Sequence, residues 1–250
     1  MLRSVNDLKG LSLRATDGEI GSVDQFYFDD ETWTIRYLVV DAGSWLVGRM
    51  VLISPISLGN VDWAAKLLEV TLTRKQVENS PNIDTHKPVS RQHEAEFLGY
   101  YGYPFYWGGT DLWGPVLHPA DLSERTATAE ARSVPKQESI DRHLRSTNEV
   151  NGYYIQAVDG EIGHVEDFLV DEETWSIRYM VVDTQNWWPG KKVLVSPQWI
   201  ESISWKESKV HVDLSRETIK DGPEYDDSGP VTRQYEELLF GNHDRGGYWL

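Results

Sequence analysis

Asp17-Gly18-Glu19-Ile20-Gly21 and Asp159-Gly160-Glu161-Ile162-Gly163 are the same five residues met twice in one chain. Outward from them the agreement continues. Glu31-Thr32-Trp33 returns as Glu173-Thr174-Trp175, Leu2-Arg3-Ser4 as Leu144-Arg145-Ser146, and Tyr106-Trp107 as Tyr248-Trp249. Residues 2–107 fall on 144–249 without a gap, and about 40% of the positions are identical, which chance does not give. The chain is a tandem duplication, and each copy is long enough to bury a core of its own. The organisation expected from this is a first domain over 1–107, a linker over 108–143 and a second domain over 144–250.

Within a copy, Leu11 to Ala15 reads as a strand and Asp17-Gly18 as the two-residue turn of a hairpin. A second strand runs from about Glu19 to Phe28. Val23 and Phe26 break the period of two just after Gly21, which points to a bulge or tight bend over Gly21–Gln25. After the acidic turn Asp29-Asp30-Glu31, Trp33 to Asp41 reads as the central strand. Its last apolar residues do not alternate, so both faces are expected to be covered. Met50–Ile53, stopped by Ser54-Pro55, and Leu67–Leu72 are further strands. Thr73 caps a short helix ended by Ser80-Pro81, and Ser90 caps another over Arg91–Leu98 ended by Gly99. The second copy repeats these elements, with Ser215 and Thr232 as its caps. The expected fold is mainly β: two small homologous barrels in tandem, each followed by short helices and an aromatic arm, forming a pseudo-twofold pair. Each arm is read as packing its aromatic pair on a barrel, that of the other copy included.

The hairpin with Asp-Gly-Glu-Ile-Gly, the strand ending Arg-Tyr-Leu-Val-Val-Asp, the short strand closing on Ser-Pro and the helix closing on Pro together resemble the PRC-barrel family. The resemblance covers roughly 3–84 and 145–226. That family includes the cytoplasmic part of the photosynthetic reaction centre H chain and the C-terminal part of a ribosome maturation factor. The resemblance implies a non-enzymatic adaptor that docks onto larger assemblies. This chain shows neither the H chain's N-terminal membrane helix nor the ribosomal factor's preceding barrel.

Composition narrows the partners. The net charge of −16 is shared unevenly, with −4 over 2–107, −2 over 108–143 and −10 over 144–250. Repulsion of this size argues against direct nucleic-acid binding through a basic face. There is no cysteine, so disulfides and thiolate chemistry are excluded. No apolar run approaches the roughly 18 residues of a membrane span. The opening Met1-Leu2-Arg3-Ser4-Val5-Asn6 lacks a signal peptide's apolar stretch, so a cytoplasmic chain is expected, peripheral to a membrane if it joins one.

The acidic turns at 29–31 and 171–173 offer oxygen ligands but lack the spacing of a dedicated cation loop, and the reading is a solvated turn. His86, His93, His118, His143, His164, His211 and His243 form no ligand pattern, and none is matched by a histidine in the other copy. No nucleophile elbow or phosphate loop is present. No metal, cofactor or catalytic activity is therefore expected. Gly21, Arg36, Gly163 and Arg178 are read as structural, each arginine needing an acid such as Asp24 or Asp41 and Glu166 or Asp183. Eight of the eleven tryptophans pair between copies; Trp113, Trp188 and Trp199 do not. The site reading is a protein-docking loop of exposed aromatics beside cations: Trp45, Leu46 and Arg49, with Trp187, Trp188, Lys191 and Lys192. Trp113 and the run Tyr100–Phe105 resemble an adhesive arm. The function expected is a protein-binding adaptor. A ribosome- or RNA-maturation adaptor binding a basic protein, and a small-molecule or ion sensor using the cleft between barrels, are the alternatives. A homo-oligomer is compatible with all three.

Overall fold

The computed structural model describes residues 1–83, 89–107, 109–123, 143–184 and 191–249. In chain order the elements are β1 (Leu2–Ser4), α1 (Val5–Leu8), β2 (Ser12–Ala15), β3 (Gly18–Asp29), β4 (Thr34–Asp41), β5 (Met50–Ile53), β6 (Leu58–Asp62), β7 (Leu67–Val70), α2 (Arg74–Glu78), α3 (Arg91–Tyr101) and α4 (Pro119–Ser123). The second copy gives β8 (Leu144–Ser146), α5 (Thr147–Val150), β9 (Tyr154–Ala157), β10 (Gly160–Asp171), β11 (Ile177–Asp183), β12 (Lys192–Val195), β13 (Ile200–Ser204), β14 (Lys209–Val212), α6 (Arg216–Asp221) and α7 (Arg233–Asn242).

Each copy lays its strands in one order. The first runs β5-β4-β3-β2-β7-β6 and the second β12-β11-β10-β9-β14-β13. All neighbours are antiparallel except β2 with β7 and β9 with β14. Among the described residues, the two ends of each path share no ladder, so the expected barrel is not closed by hydrogen bonds.

The expected bend is present. The β3–β4 register slips between Val23 and Gln25, and the β10–β11 register between Val165 and Asp167. At the bend the backbones nearly touch. A Cβ on Gly21, at φ +154°, would lie 1.9 Å from the Asp41 carbonyl oxygen; on Gly163, at φ +152°, it would lie 2.0 Å from that of Asp183. Only glycine fits there. The central strand is buried from Thr34 to Val40. Leu13, Ile20 and Phe26 are fully buried as well. Tyr37 meets Phe97 of α3 edge-on at 5.1 Å.

Three elements differ from the sequence reading. β4 starts at Thr34, because Trp33 adopts φ +51°, which a strand cannot contain. The Asp29 carboxylate accepts from the Glu31 and Thr32 amides and closes the turn before it. α3 runs on through Gly99 to Tyr101 and ends at Gly102, which takes the left-handed cap at φ +74°. Finally, β6 escaped the sequence reading, because Gly59 and Asn60 interrupt its pattern where the register slips between Leu58 and Val61.

The largest departure concerns the short strands that open each copy. β1 of the first copy pairs with β10 of the second, Leu2 opposite Asp171 and Ser4 opposite Leu169. β8 of the second copy pairs with β3 of the first, Leu144 opposite Asp29 and Ser146 opposite Tyr27. The compact units therefore differ from the repeats. One comprises 7–148 with 172–176, here the first unit; the other comprises 1–6, 149–171 and 177–250, the second unit. Within the expected linker, Trp113, Val116 and Leu122 of 109–123 are buried. Its remainder, 124–142, lies outside the described residues.

Deleting Met1–Ser4 is expected to speed amide exchange at Leu169–Asp171 about tenfold or more and to leave Tyr27–Asp29 unchanged, read by hydrogen-exchange mass spectrometry. Loss of protection at 27–29 instead would contradict the exchanged pairing.

Candidate functional site

In both copies the face of the central strand outside the sheet's core carries an arginine and a tyrosine side by side in sequence, Arg36-Tyr37 and Arg178-Tyr179. The helix that follows brings an arginine and a glutamate one turn apart, Arg91 with Glu94 and Arg233 with Glu236. The arm returns a tyrosine and a tryptophan. These residues meet. In the first unit the Tyr37 hydroxyl donates to Glu94 Oε1 at 3.1 Å, and the Tyr106 hydroxyl donates to the same oxygen. Arg91 approaches Glu94 Oε2 at 3.4 Å and His143 Nε2 reaches it at 2.8 Å. In the second unit the hydroxyls of Tyr179 and Tyr248 donate to Glu236 Oε1 at 2.9 and 2.7 Å, and Arg233 reaches Glu236 Oε2 at 2.9 Å.

The central arginines take partners other than those expected. Arg36 pairs with Asp29 at 3.5 Å and Arg178 with Asp171 at 3.2 Å, so Asp24, Asp41, Glu166 and Asp183 are not their partners in those pairs. Strand geometry explains it: these aspartates end β3 and β10, beside the start of the next strand. The acids of the turn are thereby engaged with cations, Asp30 pairing in addition with Arg145 at 2.9 Å. Each guanidinium also lies on the arm's tyrosine ring, 3.9 Å from that of Tyr106 and 4.1 Å from that of Tyr248. The arms thus pack on their own copies. Arg91 and Arg233 close each stack over Trp107 and Trp249, at 4.5 and 4.2 Å.

The two faces part company in their cover. In the first unit Trp113 lies over Arg36 at 4.8 Å, the Arg36 guanidinium donates to the Leu112 carbonyl at 2.6 Å, and the Trp113 indole donates to the Thr174 carbonyl at 2.8 Å. Arg36 and Asp29 side chains are 2% and 5% exposed there. The matching Arg178 and Asp171 are 17% and 18% exposed, and Arg233 is 49% exposed where Arg91 is 17%. Trp113 therefore seals the first unit and is no free adhesive arm. The run before it is also packed: Tyr101 contacts Phe97 and Tyr103, Phe105 is buried, and the half-exposed Tyr100 donates to the Gln76 carbonyl.

The residues of the expected docking loop are placed as follows. Trp45 is half-buried, its indole donating to the Ile20 carbonyl and its ring lying 4.4 Å from the Arg74 guanidinium. Leu46 is half-buried beside it. Arg49 donates to the carbonyls of Glu78 and Ser80 and so closes the end of α2. Lys191 pairs with Glu224, and Lys192 with Glu166 at 2.9 Å and Asp227 at 3.2 Å. Trp187 and Trp188 lie outside the described residues. Lys192, Glu224, Tyr225, Asp226 and Asp227 line an open cleft of about 490 Å³. Among the described residues no group of three metal-ligating side chains is present. Trp199, unmatched in the other copy, is a core residue that meets Phe240 at 5.3 Å.

Electrostatics keep the hydroxyls of the cluster protonated. Burial, and then the negative charge of Glu94, push the Tyr37 and Tyr106 hydroxyls well above 10.0, so both remain donors. Burial and the bond to Glu236 carry Tyr248 up to about 12. The sequence signal for this cluster was the recurrence of Arg91 with Glu94 as Arg233 with Glu236 alongside the recurring arm. Nothing in the sequence marks Glu94 and Glu236 as buried, because a helix-borne glutamate reads as a solvated one.

The model of the PRC-barrel domain matches residues 2–77 and 144–219, more than half of the chain, and the chain belongs to that family. Domains of this family are commonly protein-interaction modules. No curated protein matches the chain. No described helix is long and apolar enough to cross a membrane. The helix glutamates, the arms and Trp113 all lie outside the matched ranges.

His143 gives the first unit a dependence on pH. Burial opposes its charge, but the hydrogen bond to Glu94 and that group's charge outweigh burial and raise its pKa above 6.5. A raised pKa contributes stability fully below the unfolded value and loses it as pH rises through the folded value. Urea denaturation is expected to show the wild type weakening as pH climbs above about 6.5, with the slope lost in His143→Gln. An equal slope in the variant would contradict this assignment.

Proposed function

We propose that this chain is a non-catalytic protein-binding adaptor, and that the face around Arg178, Arg233, Tyr248 and Trp249 is where the partner docks. The observation that carries the proposal is the unequal cover of two equivalent faces: Arg36 is 2% exposed beneath Trp113, whereas Arg178 is 17% and Arg233 49% exposed. Arginine, tyrosine and tryptophan are the residues on which interface energies concentrate. The family's association with protein interaction supports the same reading. The resemblance to the H chain supports a seat at the periphery of a membrane or photosynthetic assembly, on its cytoplasmic side.

A second reading has an observation of its own. The cleft lined by Glu224, Asp226 and Asp227, on the copy that carries most of the negative charge, suits a basic protein and hence an adaptor in ribosome maturation.

Affinity capture from membrane and soluble fractions, run separately, tests the first reading. Trp249→Ala is expected to lose the captured partner at least tenfold while melting within a few degrees of the wild type; undiminished capture would refute the docking face. For the second, capture of basic ribosomal proteins is expected to fall in Asp226→Asn with Asp227→Asn and to vanish near 0.5 M salt, where charge attraction is screened within about 4 Å. Salt-independent capture would rule it out.

A further inference from the structure

Where the first copy places Ser57 and Tyr101, the second places Trp199 and His243. These two changes meet in space. The His243 ring lies 4.6 Å from that of Trp199, inclined at 64°. Trp199 is 2% exposed and His243 7%. Neither the Trp199 indole N–H nor His243 Nδ1 has a hydrogen-bond partner among the described residues. The seat is lined by rings and suits a neutral imidazole, because a proton on Nδ1 would meet no acceptor there. The surrounding charges do not favour a cation either. Arg245 of the arm adds positive charge and is itself held by Asp213, just beyond β14. Gly222, at the end of α6, comes near Nε2 with backbone alone, while Lys220, Asp221 and Asp244 are exposed. Glu236 of α7 is engaged by Tyr179, Tyr248 and Arg233. Burial, and then Arg245, hold the pKa of His243 below 6.5.

His243 also stands where α7 gives way to the arm. Its N–H donates to the Phe240 carbonyl at 3.2 Å, and the Arg245 N–H returns to the same carbonyl at 3.0 Å. Between them Asp244 takes φ +50°, a left-handed turn that a residue other than glycine holds at a cost. The Phe240 ring meets Trp199 at 5.3 Å, Trp249 at 5.1 Å and Tyr248 at 6.5 Å. The histidine seat, the turn into the arm and the arm's two rings therefore share one residue. Resting on the docking face proposed above, we infer that His243 is a proton-operated latch on the arm: once protonated it leaves the Trp199 seat, the turn at 243–245 opens, and Tyr248 and Trp249 lose their places, so that the partner is held at neutral pH and released in acid. A group whose folded pKa is lowered contributes its stability above the unfolded value and loses it as pH falls below about 6.5. The first copy has no such latch, because Tyr101 keeps an uncharged ring at the matching position. Acid acts there in the opposite sense, since Glu94 supports the charge on His143.

The test is hydrogen exchange of the full chain at about pH 7.5 and about pH 5.5, with labelling times scaled to the intrinsic exchange rate and read by mass spectrometry. Protection over residues 241–249 should fall at least about fivefold in acid, while the matching residues 99–107 of the first unit keep theirs. His243→Gln, uncharged at both pH values, should abolish the difference. If that variant loosens the arm throughout, His243→Tyr carries the comparison with an aromatic ring in the seat, and it too should respond equally at both pH values. An arm equally protected at both pH values in the wild type overturns the latch. So does an acid response that survives in both variants, or one of the same size over 99–107, which would mark a general loosening. Affinity capture at the two pH values separates the latch from the docking face. Capture that needs Trp249 and is equal at both overturns the release of the partner. Capture undiminished in Trp249→Ala, with the arm still loosening in acid through His243, removes the docking face and the release with it, and leaves the latch on the arm established.

Discussion

A carboxylate withdrawn from water joins the sheet, helix and arm of each unit. Glu94 is 1% exposed and Glu236 3%. A buried carboxylate is tolerated only when paired and fully hydrogen-bonded, and removing a partner costs about 3–5 kcal/mol. Each of these two collects a tyrosine from the central strand, a tyrosine from the arm and an arginine from its own helix. Three elements distant in sequence are thereby bound to one pair of oxygens. The arm has no regular structure of its own, and its course follows from the need of Tyr106 and Tyr248 to reach that acceptor. The arginine of the central strand follows in turn, because the ring that serves the carboxylate with its hydroxyl serves the guanidinium with its face.

The same arrangement was used twice and then treated differently. In the first unit His143 adds a further donor to Glu94, and Trp113 covers the arginine, so the polar cluster is removed from solvent. Closing such a cluster strengthens each interaction in it, because the surrounding medium screens less. In the second unit the 49% exposure of Arg233 leaves its pairing with Glu236 weaker per contact.

Much of the fold was legible because its determinants are local. Asp17-Gly18 can make only a tight turn, Gly21 marks the place where the strand bends onto its neighbour, and the caps at Thr73, Ser90, Ser215 and Thr232 each accept from the amide three residues on. What escaped was not local. Three residues of β1 carry no periodicity, and nothing in Leu2-Arg3-Ser4 says that its partner lies beyond residue 168. Trp113 reads as part of an adhesive arm until Arg36 is seen beneath it. The family resemblance followed the barrels, where backbone constraints repeat, and stopped short of the helices and arms, where the candidate site is assembled.

The identity of β1 and β8 has a consequence for biosynthesis. Both are Leu-Arg-Ser, and both lie against the same register positions of equivalent strands, Asp171 to Leu169 and Asp29 to Tyr27. A ribosome releases β1 and β3 long before β8 exists. At about 5–20 residues per second, β3 waits several seconds for its final neighbour. Throughout that interval the nascent chain holds a chemically identical triplet near at hand. Synthesis therefore leaves Tyr27–Asp29 without their observed neighbour far longer than Leu169–Asp171, whose partner Leu2–Ser4 is already made when β10 emerges.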